Sequence, residues 1–366
     1  MDSKVVIEYE WQYLLSFLPS EEVLDRTAKE SGALVRKRGV SSASVLLRLA
    51  MVYGFCGLSL RQTAAWAKVA NVADISDVAL LKRLRKADSW LGRLLAIKLA
   101  ERAPPPQKKG SFRVCIVDAT TINRPGSKGT DWRVHLGFNL DALAIEHVEL
   151  TDASGGETFK RFTLGNGEIA IGDRGYAHRA GLRSLVDSGA DFLVRLNWQN
   201  LPLQTTSGKK FDLLNFLRDL PDAKAKGATV RVAPTKEIPT MEARLVAVRK
   251  SEAAAEISRV KVLRDRSRKC RGLDPRTLES AGYVFVLTSI SESVLSDTEV
   301  LELYRFRWQV ELAFKRLKSL LHLNELPAKD PPLARSFIYA KLLAALLLED
   351  FTDRFLAFSP WGYRLA

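Results

Sequence analysis

The chain has 366 residues, 46% of them hydrophobic, which is enough to build cores in two or three domains and too apolar for a disordered chain. Its 56 Lys and Arg outnumber 42 Asp and Glu, for a net charge of +14. That balance favours a polyanionic partner over an acidic small molecule.

The amino terminus, MDSKVVIEYEW, lacks the pattern of a secretory signal. From about residue 8 to residue 101, apolar residues recur three or four apart, so a helical domain is expected over residues 1–103. Within it SLRQTAAWAKV (59–69) reads as a helix, VADIS (72–76) as a turn and DVALLKRLRK (77–86) as a second helix carrying Lys82, Arg83, Arg85 and Lys86. A helix-turn-helix would set that basic helix in a major groove, whereas the plain alternative is a solvated basic face. The run RAPPPQKKGS (102–111) cannot continue a helix, and residues 104–112 are read as a linker.

Beyond it the period changes. RVCIV (113–117), WRVHLGFNL (132–140) and AIEHVELT (144–151) read as three adjacent strands. A short helical segment (157–162), a strand EIAIG (168–172), a helix (180–187) and a strand DFLVRL (191–196) follow. Strand, strand, strand, helix, strand, helix, strand is the element order of the ribonuclease-H-like fold, a mixed sheet flanked by helices. Residues 113–196 would form the first part of that core. Residues 197–281, with runs such as ATVRVA and ARLVAV, are read as a β-rich insertion, which also holds the basic run RDRSRKCR (264–271). Residues 282–325 would complete the core: a strand YVFVLT (283–288), then a long helix opened by a Ser296/Glu299 capping box. A helical carboxy-terminal segment (326–366) closes the chain. Its apolar run at 342–348 falls short of the roughly 18 residues of a spanning helix, so no membrane association is expected. Cys56, Cys115 and Cys270 are odd in number and far apart, which supports neither a disulfide framework nor a cysteine metal cluster and fits a reducing cytosol.

The carboxylates carry the chemistry. Asp118 ends the first strand and Asp173 the fourth, strands that lie side by side in such a fold. On the long helix Tyr304, Arg307, Glu311 and Lys318 follow at offsets of three, four and seven, which puts all four on one face beside an apolar stripe of Leu303, Phe306, Val310, Phe314, Leu317 and Leu321. Three acids can hold two divalent ions roughly 3.5–4 Å apart for in-line phosphoryl displacement. Oxygen-only ligation suits Mg²⁺ or Mn²⁺ rather than zinc, and His135, His147, His178 and His322 show no zinc spacing. Each acid also has a plainer reading: a strand-end aspartate caps its turn, and a helix glutamate beside arginine makes a solvated ion pair. Trp308 could stack on a base or sugar, Arg174 could meet a phosphate, and His135 is read as packing.

The segment YRFRWQVELAFKRLK (304–318) resembles in full the tyrosine, arginine, glutamate, lysine signature of DDE-type insertion-sequence transposases of the IS-four family. VDATTI around Asp118 and IGDRGY around Asp173 are similar to that family's first two acidic motifs, and the likeness spans about residues 114–321, including an insertion before the glutamate. The resemblance implies Asp118, Asp173 and Glu311 as the triad binding two Mg²⁺ ions, with Mn²⁺ tolerated. It implies Tyr304, Arg307 and Lys318 as contacts to DNA near the terminal phosphate, and cut-and-paste transposition as the reaction. Partners would be double-stranded DNA with terminal inverted repeats, target DNA and a second copy of the chain in a synaptic homodimer. The setting would be the bacterial cytoplasm, at the nucleoid. Two rivals stand beside it: a structure-selective nuclease of the same fold, and a non-catalytic DNA-binding regulator. An aromatic residue of the insertion that could hold a flipped base (Trp198, Tyr283 or Phe285) is left unassigned.

Overall fold

A computed structural model describes residues 11–102, 112–222, 224–268, 272, 274–320, 322–323 and 325–357. The expected linker lies almost wholly outside these residues, as do Cys270, the end of the basic run, Leu321 and the chain after residue 357.

After a helical stretch at residues 11–15 come α1 (Glu21–Glu30), α2 (Ala43–Phe55), α3 (Leu60–Val69) and α4 (Asp77–Glu101). Serine hydroxyls cap the starts of α2, α3 and α4. Ser59 and Gln62 form a reciprocal capping box on α3, and the Ser76 hydroxyl accepts from Ala79 N at the start of α4. The expected helix, turn and second helix are present, but α4 runs on to Glu101 because Leu84, Trp90, Leu91 and Leu94 continue its buried face. Trp90 is fully buried, and its Nε1 donates to Thr27 Oγ1 at 3.0 Å. Trp90→Ala should cost about 3–5 kcal/mol, read as a lower urea midpoint at unchanged slope.

The sheet follows: β1 (Arg113–Ile122), β2 (Trp132–Asn139), β3 (Ala144–Asp152), β4 (Glu168–Gly172), α5 (Arg179–Asp187) and β5 (Asp191–Arg195). The strand order is β3-β2-β1-β4-β5, antiparallel across β3, β2 and β1 and parallel across β1, β4 and β5. This is the expected ribonuclease-H-like arrangement.

The insertion supplies β6 (Leu203–Gln204), α6 (Leu213–Arg218), β7 (Lys226–Val232), β8 (Met241–Arg249), α7 (Glu252–Arg268) and α8 (Pro275–Ser280). Its strands are not a separate layer. The returning strand β9 (Tyr283–Thr288) pairs with both β5 and β8, so one sheet continues as β5-β9-β8-β7-β6. Much of the basic run lies on α7.

Two faces of β1 carry two cores. Val114 and Ile116 face a cluster shared with the helical region, whereas Cys115 and Val117 face the cluster built with Phe159, Tyr176 and Phe192. The final helices are α9 (Asp297–Arg305), α10 (Trp308–Leu320) and α11 (Pro331–Ala357). Val310, Phe314 and Leu317 of α10 pack in the first cluster. Helix α11 packs against α2 and α4. Gly54 of α2 permits the closest approach, since a Cβ there would lie 2.8 Å from Ala340 Cβ. Ser336 Oγ donates to Leu84 O at 2.5 Å, and Arg335 pairs with Asp88. Residues Pro331–Thr352 are long and apolar enough to cross a membrane, contrary to the reading of 342–348 alone, and 72% of that window is buried inside the protein.

Candidate active site

Register brings the two aspartates together. Arg113 to Ile116 of β1 pair in parallel with Glu168 to Ile171 of β4, and carrying that register on by two residues sets Asp173 beside Asp118. Asp173 follows β4, where its Oδ1 accepts from Gly175 N at 2.7 Å, so it also caps its own turn. Asp118 does not end its strand as expected. Pairing with β2 continues to Ile122, because the β-branched residues after it keep the strand extended, and Asp118 lies opposite Leu136. It shares the Val114/Ile116 side of the strand, the side covered by α10.

The expected single long helix is two. The Ser296/Glu299 capping box opens α9, which ends at Arg305. Phe306 and Arg307 form a tightened turn, with Phe306 N bonded to Leu303 O and Arg307 N to Tyr304 O, before α10 begins at Trp308. Tyr304 is therefore on α9, Arg307 in the turn, and Glu311 and Lys318 on α10.

A cleft of about 500 Å³ is lined by Asp118, Asp173, Glu311, Tyr304, Arg307 and Arg174 together with residues of the insertion. Lys318 lines an adjoining cleft with Asp118 and Glu311. Arg307 makes a close ion pair with Glu311. Among the described residues, no three His, Cys, Asp or Glu side chains stand close enough together to hold an ion. The aspartates and Glu311 thus share one cleft, with Glu311 held on Arg307.

The electrostatics are those of crowded carboxylates. Burial, with the Asp173 and Glu157 charges adding to it, pushes the Asp118 carboxyl up to about 6, against the opposing pull of Ala119 N–H and Arg307. Glu157 is a fourth acid that pattern reading missed. Its carboxyl is raised by burial and by Asp173, and a Cβ on Gly175 would collide with its Oε2 while sitting 3.1 Å from Asp173 Oδ1. The Tyr176 hydroxyl is buried without a hydrogen bond, and Asp118, Glu157 and Asp173 reinforce burial in raising its pKa. Glycine at 175 and tyrosine at 176, inside the IGDRGY motif, were the available signals.

Other expected residues divide. Trp308 is 49% exposed beside Arg307. On α4, Arg83 donates to the carbonyls of Arg36 and Arg38 and Arg85 pairs with Asp330, whereas Lys82 and Lys86 are exposed. His135 is buried with Nε2 at 3.0 Å from Thr151 Oγ1, and burial pushes its pKa down to about 4. Trp198 lines the main cleft under the Arg276 guanidinium, whereas Tyr283 and Phe285 are buried in the sheet core.

The chain is similar in sequence to known proteins. The family described as "Transposase DDE domain" matches residues 109–347. InsL of insertion sequence element IS186A from Escherichia coli strain K12 is 43% identical over 354 residues, covering 96% of each chain. The transposase for insertion sequence element IS421 from Escherichia coli is 42% identical over 355 residues, again covering 96% of each. A piggyBac transposase synaptic complex with hairpin DNA gives a TM-score of 0.42 at 9% identity, over 93% of this chain and 73% of that one.

Proposed function

The chain belongs to the DDE transposase family of insertion sequences, and on that premise we propose that it cuts the ends of its element and joins them to target DNA using Asp118, Asp173 and Glu311. The family depends on divalent metal. Here the ions would be two Mg²⁺, with Mn²⁺ a substitute.

The observation that carries the reading is the parallel register that sets Asp118 beside Asp173 in the cleft that Glu311 also lines. The donor set fits a divalent cation. It is all oxygen, and the Asp118 carboxyl is destabilised as an anion by burial and by its acidic neighbours, a cost that a cation relieves. When bound, the metal activates the attacking oxygen and stabilises the leaving oxygen of an in-line displacement. Glu311 would exchange Arg307 for the metal, which frees the guanidinium for the scissile phosphate. Tyr304, whose hydroxyl is pushed up to about 12 chiefly by burial, stays protonated and can donate to a phosphate oxygen. Lys318, Arg174 and Trp308 would hold the flanking backbone, and Lys82 and Lys86 of α4 the repeat.

The element's terminal inverted repeats, target DNA and a second copy of the chain in a synaptic dimer complete the proposed assembly, in the bacterial cytoplasm at the nucleoid. Arg307→Ala and Lys318→Ala should each flatten the salt dependence of end binding by roughly one phosphate contact, and an unchanged slope would return them to structural roles. The activity itself is tested with a supercoiled donor carrying the repeats that flank the gene. Excision with 3′-hydroxyl joining to a target plasmid is expected; cutting without joining would favour a nuclease, and end binding without cutting a regulator.

A further inference from the structure

Between α1 and α2 the chain makes a turn that is tied down on its inside while its side chains stand in solvent. Val35 is 63% exposed, and Arg36, Lys37 and Arg38 are exposed with it, between buried Leu34 and Val40. Leu34 N donates to Ala28 O at 3.1 Å, Lys37 pairs with Asp25 at 2.8 Å, and Arg83 of α4 donates to the carbonyls of both Arg36 and Arg38. Gly39, at φ 68°, then brings the chain against the turn between α3 and α4, where a Cβ would stand 3.2 Å from Asp74 O. We infer that this loop is a second DNA-reading element: Arg36 and Arg38 enter the minor groove beside the major groove that takes α4, and Arg83 is the residue that positions them. The inference rests on the end-binding reading of α4 above.

What the loop commits to the fold and what it leaves free carries the inference. Its lysine is committed to Asp25, which also accepts Ala43 N at 2.8 Å, whereas the Arg36 and Arg38 side chains make no hydrogen bond or ion pair among the described residues. Asp74, the acid of the adjoining turn, is paired with Lys68. Arginine is the cation suited to a narrow groove, since its guanidinium sheds water more readily than an ammonium and the minor groove of A·T-rich DNA concentrates negative potential. The loop also stands in the right place. At about 100° per residue, Lys82, Lys86 and Arg83 follow one another round one flank of α4, so positive charge runs from the exposed lysines to the loop that Arg83 grips. With the exposed face of Val78 and Lys82 in a major groove, an element on that flank meets the phosphate ridge and the minor groove beyond it. A backbone fixed beforehand loses little freedom on binding.

The test uses the full chain in EDTA, where no strand is cut, on a duplex of the repeats that flank the gene. Hydroxyl-radical footprinting should show wild type protecting a minor-groove stretch beside the α4 contacts. The Arg36→Ala/Arg38→Ala double variant should lose that stretch alone while melting no lower than wild type, because neither guanidinium holds a partner in the fold. Arg83→Gln should lose it too, with the rest of the footprint kept, and Arg83→Lys should restore part of it. With the stretch set to A·T, I·C or G·C pairs, wild type should bind the G·C duplex about tenfold more weakly than the other two, which share one minor-groove face. The Arg36→Lys/Arg38→Lys variant should lose that preference at an unchanged salt slope, since its charge is kept. A stretch that survives the double alanine variant or Arg83→Gln, equal wild-type affinity for the three duplexes, or a lower melting temperature of the double alanine variant would each overturn the inference. Wild type that protects no part of the ends would overturn the end-binding reading as well, so the two ideas fail separately.

Discussion

Asp118→Ala, Asp173→Ala and Glu311→Ala are each expected to lower strand cleavage by on the order of 10³-fold or more while leaving affinity for an end duplex within a few fold of wild type. The asymmetry follows from where these groups stand. Asp118 is fixed by β-pairing on one side and Asp173 by a strand end and its own turn. Neither is a cation that could hold phosphate, so removing either takes away no contact to the backbone. Glu311 is 55% exposed and paired only with Arg307 among the described residues, so its loss costs little folding energy. Single-turnover cleavage on a labelled end, alongside an equilibrium binding curve, separates the effects. Equal losses in both would mean that the acids shape the DNA surface rather than the chemistry.

Asp118→Asn should raise the stability of the metal-free protein at neutral pH, the reverse of most substitutions in a packed strand. The Asp118 pKa stands at about 6 in the fold, above the ordinary aspartate value of 3.8. A raised carboxyl means that the folded state binds protons more readily than the unfolded chain. Above about pH 6 both states carry the anion, and the fold bears the full penalty, up to roughly 3 kcal/mol for a shift of this size. As the pH falls toward 4 that penalty disappears. The gain from Asp118→Asn over wild type should therefore be full at pH 7.5 and vanish below about pH 4. Mg²⁺ should stabilise the wild type but not the variant at pH 7.5. A variant that melts below wild type at pH 7.5 would show that the carboxylate is a structural partner and not a strained ligand.

Much of the sheet was legible because its signals are local. Alternation in WRVHLGFNL and AIEHVELT, the short apolar runs before Asp118 and Asp173, and the Ser296/Glu299 capping box each depend on neighbours in sequence. What was not legible depends on partners far along the chain. Asp118 seemed to end its strand because the apolar run stops there, yet β2 continues to pair with it and holds the next four residues extended. Tyr304, Arg307, Glu311 and Lys318 satisfy one helical face by spacing, but spacing does not reveal the turn at Phe306 and Arg307. The insertion's strands were readable as strands; that β9 would pair with both β5 and β8 and make one sheet was not. Glu157 carries no motif of its own and comes near Asp173 only through the loop that follows β3. Charge alone marks Arg83 and Arg85 as groove contacts, and charge alone does not reveal that in the fold Arg83 also donates to the carbonyls of Arg36 and Arg38 and Arg85 also pairs with Asp330.

The central claim is that both aspartates and Glu311 converge on shared divalent metal once it is present. Anomalous scattering from crystals of the DNA-bound protein soaked in Mn²⁺ tests it most directly. Manganese peaks bridged by Asp118 and Asp173, with Glu311 released from Arg307 to join them, are the predicted result. Manganese elsewhere, or a Glu311 still on Arg307 with the metal in place, would contradict it.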